Sequence, residues 1–421
     1  MTDYDVVGVG LGPFNLGLAA LLAPVTDVDA VFFEAKPEFS WHSGLLLDGT
    51  TLQVPFLADL VTLADPTSPY SFLNYLHCRS RLYRFYFYER FHVPRREYDA
   101  YGRWVAEQLP SCRFGQRVDA VRPGPGEGWT VVLASGEEHQ AAAVVLGVGS
   151  RPSLPAGAAD QPGDRVLHSA GYLPRRADVQ AAERVTVVGS GQSAAEVFAD
   201  LLAAPGDRRL DWLTRSRGFL PMEYSKLGLE HFTPEYTAYF QGLPEARRDA
   251  LRAGQDLLYK GISAETSEAV FDALYEATID GDDPPVAYRS ACELRGIEVA
   301  GDDGPLRLAF HHLDEDVAFT HDTDVVVLAT GYEPAPLPLA PELVERDGRG
   351  RPVVDHDYRL RLVDRPKSTL FVQNAELHTH GVGAPDLGLG AHRNSVVVNA
   401  LADREVYPVR DRNVFQSFGA P

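Results

Sequence analysis

Two glycine clusters carry the most readable chemistry in this chain. Gly8-Val-Gly10-Leu-Gly12-Pro13-Phe14-Asn15 lies near the amino terminus, and Gly189-Ser190-Gly191-Gln192-Ser193-Ala194-Ala195-Glu196 lies in mid-chain. Each follows a β-prone run and opens a helix-prone one, an order that brings backbone N–H groups at a helix start against a pyrophosphate. Gly10 and Gly12 allow the tight turn and the close approach, while Asn15 stands where a third glycine is usual. Glu34 ends the next β-prone run, at the place where a carboxylate accepts the ribose hydroxyls of a dinucleotide. After the second cluster the same place holds Thr214-Arg215-Ser216-Arg217, with no carboxylate. An arginine there pairs with a 2′-phosphate that a carboxylate would repel, so the second nucleotide is expected to be NADPH. Two dinucleotide sites in one chain imply hydride transfer from NADPH to a bound flavin.

Cys78, Cys112 and Cys292 are too far apart for a redox pair or a metal motif. That disfavours a disulfide reductase and leaves oxidases, quinone-type reductases and monooxygenases. No side-chain nucleophile, triad or metal cluster is expected. His311 and His312 read as surface residues, and His378 and His380 lack a second ligand pair.

Such loops need a sheet beneath them. Val6, Val7 and Val9 form a short strand, Leu16 to Leu22 a helix, and Val31 to Phe33 a second strand. Residues 143–149 read as a buried strand of the same sheet. A second unit runs from Val185 through a helix over 194–203 to a strand at 210–214, and Val325–Ala329 is another buried strand ending on Thr330-Gly331-Tyr332. The fold class is therefore α/β, with two Rossmann-like dinucleotide-binding domains and a smaller, mostly helical substrate-binding region. The expected boundaries are 1–162 with 305–421 for the first domain, 163–219 with 281–304 for the second, and 220–280 for the helical region. Residues 41–104 are expected to lie over the first sheet, with Tyr83, Phe85, Tyr86, Phe87, Tyr88 and Phe91 as packing.

The 421 residues are 45% apolar and 23% charged, with a formal net charge of −20. That balance argues against a nucleic-acid surface and suits a cationic small molecule. No run approaches the ~20 apolar residues that span a bilayer, and the acidic start is no signal peptide. A cytoplasmic enzyme with no membrane partner is expected.

Further motifs make the chain specific. They are Trp41-His42-Ser43-Gly44, Leu52-Gln53-Val-Pro-Phe56-Leu57, Pro69-Tyr70-Ser-Phe-Leu-Asn74-Tyr75-Leu76, Ala329-Thr330-Gly331-Tyr332 and Thr379-His380-Gly381. Together with the two loops, and in this order over residues 4–400, they resemble the N-hydroxylating flavin monooxygenases of siderophore biosynthesis. The resemblance implies FAD on the first loop and NADPH on the second. It implies that a hydroperoxyflavin, formed with dioxygen, oxygenates a neutral primary amine, with no catalytic side chain required. Gly10, Gly12, Pro13, Asn15, Glu34, Lys36, Trp41, His42, Gln53 and Arg95 are then candidates for FAD. Gly189, Gly191, Gln192, Ser193 and Arg215 are candidates for NADPH, and Thr330, Leu387 and Gly388 complete the cofactor set. A homo-oligomer is also implied.

Amino-acid hydroxylases of this family carry a lysine before the Asp of Phe-Leu-x-Asp, and an asparagine before a Glu-x-Phe-x-Pro-Glu stretch. Here those positions are Ala58 and Leu229. A charge-assisted bond to a carboxylate contributes roughly 1.5–3 kcal/mol, and this pair offers none. Ala58 and Leu229, with Tyr259, are the substrate-site candidates. The expected substrate is an alkane diamine, cadaverine or putrescine. The alternatives are a lysine or ornithine hydroxylase and a non-catalytic redox sensor.

Overall fold

The computed structural model describes all residues except 1, 156, 159–163, 280, 282, 302–303, 411 and 421. Its first sheet has seven strands. Tyr4–Val9 lies parallel to Ala30–Phe33 on one side and to Glu138–Leu146 on the other. Cys112–Arg113 extends the sheet beyond Ala30–Phe33. Thr369–Val372 returns from far along the chain to lie parallel to Glu138–Leu146, and Trp129–Leu133 and Val118–Pro123 add an antiparallel flank. Val6 and Val7 are fully buried, because the helix Pro13–Leu22 covers one face and a second apolar cluster fills the other.

The second sheet is wholly parallel, in the order Val286–Arg289, Arg209–Leu213, Arg184–Val188, Val325–Leu328, Val166–His168. A three-stranded antiparallel sheet, Cys292–Val299, Leu306–His312 and Val317–Thr323, packs against it. This corrects the expected boundary at 305: residues 306–328 belong to the second unit, since Val325 pairs with Val185. The reason is physical. Val325–Leu328 is buried on both faces, and such a run reads alike in either sheet. The boundary at 162/163 lies outside the described residues. Ser150–Pro152 pairs with Tyr332–Pro334, so the outgoing and returning chains cross between the units as a two-stranded ribbon.

The helical region comprises Pro234–Gly242, Glu245–Gly254 and Ala264–Glu276. Thr233 caps the first of these with its hydroxyl, and Pro234 sits in the first turn, where its missing N–H costs nothing. The aromatic run departs from expectation. Phe85 packs on Phe56 and Phe72, but Tyr83, Tyr86, Phe87 and Phe91 project into solvent. The short helix Leu82–Tyr88 has only one face to bury, and the run carries rings on all of them. Among the described residues no helix is long and apolar enough to cross a membrane.

Candidate active site

The first glycine loop is built by close approach. Gly10 has φ +85°, and a side chain there would meet the Gly147 carbonyl oxygen at 2.5 Å. Gly12 caps the helix in an extended conformation, without a side-chain cap, and nothing lies within 4 Å of where its Cβ would point. Pro13 opens the helix. Asn15 is buried and braces the turn. Its Nδ2 donates to the Gly10 carbonyl at 2.7 Å, and its Oδ1 accepts from Gln373 Nε2 at 2.7 Å. Glu34 stands beside the loop as expected, its carboxylate accepting from Leu11 N at 2.7 Å and from Lys36 N at 2.9 Å. Lys36 donates to the Ser40 carbonyl.

The segment after Lys36 reaches the crossover ribbon, with the His42 ring 5.9 Å from that of Tyr332. Trp41 meets His42 and Tyr98 edge-on, at 4.6 and 5.1 Å between ring centroids. His42 adopts φ +50°, and desolvation, helped by the charges of Arg95 and Lys36, pulls its pKa down to about 4. The ring is therefore neutral at physiological pH. Gln53 Nε2 is sealed from solvent without a hydrogen-bond partner, which is costly unless a ligand accepts from it. An open cradle over Gly12, an uncapped helix start and an orphaned amide together fit a bound dinucleotide.

Ala58 is buried and faces the 387–389 turn: a Cβ at Gly388 would lie 3.9 Å from Ala58 Cβ and 2.8 Å from Asp386 Oδ1. Leu387 packs on the first core. Asp386 Oδ1 accepts from Gly388 N at 2.7 Å, and burial pushes its carboxyl up to about 6. It has no ion-pair partner among the described residues. Leu229 is half-buried in the turn Gly228–His231. A little before it, Tyr224 reaches across to the first unit, with its hydroxyl 2.8 Å from His92 Nε2. Tyr224 is raised to about 12 by burial first and then by the charges of Asp386 and Glu265. Tyr259 packs in the cluster of Tyr236, Phe240 and Val382.

In the second loop Gly189 has φ +142°, and a Cβ there would fall 2.2 Å from the Ala329 carbonyl oxygen. Gly191 caps the helix Gln192–Ala203 without a side-chain cap, and Ser193 is half-buried in its first turn. Gln192 is occupied by protein: Oε1 accepts from Ser263 N at 2.8 Å, and Nε2 donates to Thr266 Oγ1 and Glu196 Oε1. Arg215 is exposed and has no ion-pair partner among the described residues, whereas Arg217 pairs with Asp314 at 3.3 Å. Thr330 Oγ1 donates to the Ser153 carbonyl, fixing the crossover.

One expected cofactor residue is tied to the second unit. Arg95 makes a bidentate, buried ion pair with Glu196 at 2.7 and 2.8 Å and donates to the Leu45 carbonyl. It joins the units, because the Glu196 carboxylate buried beside it requires a counter-charge. Glu196, Asp386 and Tyr224 escaped the sequence reading. Only Glu196 left a signal, as the one acid among Ala194, Ala195, Val197 and Phe198 on a buried helix face.

Two units built on parallel strands, each with a glycine loop at a helix start and joined through the Arg95–Glu196 pair, define a flavoprotein oxidoreductase of the two-dinucleotide-domain class. The profile of the L-lysine 6-monooxygenase/L-ornithine 5-monooxygenase family matches residues 2–334, and the chain belongs to that family. It is 47% identical to the rhizobactin siderophore biosynthesis protein RhbE of Rhizobium meliloti, over 100% of this chain and 96% of that protein. It is 41% identical to the putrescine N-hydroxylase of Shewanella oneidensis, over 99% of this chain and 84% of that one. The crystal structure of DfoA bound to FAD, the cadaverine monooxygenase of desferrioxamine biosynthesis in Erwinia amylovora, superposes with a TM-score of 0.94 at 40% identity, covering 100% of this chain and 99% of that one.

Removing one member of the Arg95–Glu196 pair strands a buried charge. Glu196→Ala is expected to lower stability by ~3–5 kcal/mol, and the double change Arg95→Met with Glu196→Leu by much less. Urea unfolding of the three proteins checks this.

Proposed function

We propose that this protein is an FAD- and NADPH-dependent monooxygenase that N-hydroxylates one primary amine of an aliphatic diamine, cadaverine or putrescine. Its product is a building block for hydroxamate siderophores, made in the cytoplasm. Bound FAD supplies the activated oxygen once NADPH has reduced it. Gly10, Gly12, Pro13, Asn15, Glu34, Lys36, Trp41, His42 and Gln53 hold the flavin nucleotide, and Gly189, Gly191, Ser193 and Arg215 hold NADPH, with Gln192 contributing its backbone N–H at the uncapped helix start.

The observation that carries the diamine reading is the pairing of Ala58 with Asp386 across Gly388. A diamine has one amine to be oxidised and one ammonium to be held. Ala58 and Leu229 offer nothing to a carboxylate, and a half-buried carboxylate without a cationic partner is a receptor for an ammonium. The same carboxylate would repel the α-carboxylate of lysine or ornithine. Near the reacting amine, half-buried Trp41, buried Tyr98 and the neutral ring of His42 supply no carboxylate that would hold a proton on it. That favours the uncharged, nucleophilic amine over an ammonium whose pKa in water is near ~10.4.

Hydroxylamine formation measured side by side with cadaverine, putrescine, lysine and ornithine tests this reading. Preference for either amino acid overturns it. Asp386→Asn is expected to raise the diamine KM by roughly 10–100-fold. Because Asp386 titrates near 6 and binds the ammonium only when ionised, the wild-type KM is expected to rise about tenfold per pH unit below that point. The Asn variant should lose this dependence.

Two further outcomes concern the cofactors. Gly12→Val is compatible with the extended backbone and the open space at that position, so the protein should fold but purify without flavin absorbance. Arg215→Ala is expected to raise the NADPH KM by about tenfold or more while leaving that for NADH unchanged. Steady-state kinetics with both nucleotides check this.

A further inference from the structure

The Glu-x-Phe-x-Pro-Glu stretch, Glu230 to Glu235, does not direct its acids at the cleft. Glu230 accepts backbone N–H groups from Phe415 at 3.3 Å and Gln416 at 2.7 Å. Glu235 accepts from the backbone of Asn413 and, at 3.2 Å, of Val414, with Asn413 Nδ2 at 3.4 Å. These bonds hold the Glu235 carboxyl below its usual value against the opposing effect of burial. Beyond them, Phe418 inserts its ring among three others, 5.0 Å from Tyr236, 5.6 Å from His231 and 6.1 Å from Tyr239. Gly419 closes on the Tyr239 ring, which a Cβ would meet at 3.5 Å.

What this segment grips is connected to the amine site. Tyr236 and Phe240 form one buried cluster with Val382, and Tyr259 packs on it. Thr237, on the same helix, would lie 3.7 Å from a Cβ at Gly383. Gly383 in turn accepts a hydrogen bond from the backbone N–H of Asp386. The contacts therefore run from Phe418 through the helix Pro234–Gly242 to the turn that carries Asp386.

We propose that residues 413–418 act as a clasp that positions the amine pocket, with Phe418 as a positioning residue acting through Tyr236 and the 381–390 segment on Asp386. The proposal rests on the reading of Asp386 as the ammonium receptor. Phe418 touches neither cofactor loop, so its effect falls on the amine alone. The ring is only half-buried, and its removal leaves both sheets and their cores intact.

The test is Phe418→Ala in the full chain, with Phe418→Tyr as the conservative control. Expected for the Ala variant is a fivefold or greater rise in diamine KM, with kcat within twofold and the NADPH KM unchanged. A larger share of NADPH oxidation should end without hydroxylamine. The Tyr variant should restore all of these. Amide hydrogen exchange provides a readout independent of turnover: protection over 381–390 should fall in the Ala variant and return in the Tyr variant. Unchanged exchange overturns the clasp, and so does increased exchange with an unchanged diamine KM. If wild-type protein hydroxylates no diamine, the functional reading fails, and the exchange result alone decides whether the clasp holds the turn.

Discussion

The buried pair of Arg95 and Glu196 is the joint on which the rest of the site depends. Neither charge would be tolerated there alone, and each comes from a different unit. Arg95 lies at the start of a helix packed over the first sheet and also holds the Leu45 carbonyl. Glu196 lies one turn into the helix that begins at the second glycine loop. Through Gln192 it reaches Thr266, at the start of a helix of the substrate region. One bidentate contact thus sets the relative position of both nucleotide loops and the helical region.

Backbone approach supports the same joint. A side chain at Gly44 would fall 1.8 Å from the Ala170 carbonyl oxygen, so the Trp-His-Ser-Gly motif brings the first unit directly against the second. The ribbon of Ser150–Pro152 with Tyr332–Pro334 closes the other connection. Together these contacts fix the face on which the first unit meets the second.

Much of this was legible in the residues because local chemistry dictates it. Gly10 and Gly189 occupy backbone conformations that other residues avoid, and Glu34 stands at a strand end beside the first loop, a placement that depends only on spacing. The placement of 306–328 was not legible, because a doubly buried strand carries no mark of the sheet it joins. Asp386 was hidden for a different reason. Its meaning comes from what lies opposite, Ala58, more than three hundred residues away in sequence and brought near only by the fold. Arg95 shows the converse: it entered by resemblance as a cofactor candidate, and its pairing with Glu196 of the other unit becomes visible only in the fold.

Asn15 has a consequence for how the chain is made. Its side-chain oxygen is satisfied by Gln373, a bond that closes a separation of 358 residues, and the neighbouring strand Thr369–Val372 completes the first sheet. The amino-terminal unit therefore cannot reach its final form as it leaves the ribosome. At roughly 5–20 residues per second, its central strands wait on the order of tens of seconds for their last neighbour. During that interval an apolar edge stands open to unwanted pairing, and the second unit, whose strands all lie between 166 and 328, is free to fold first. The second unit can thus be complete before the first receives its last strand.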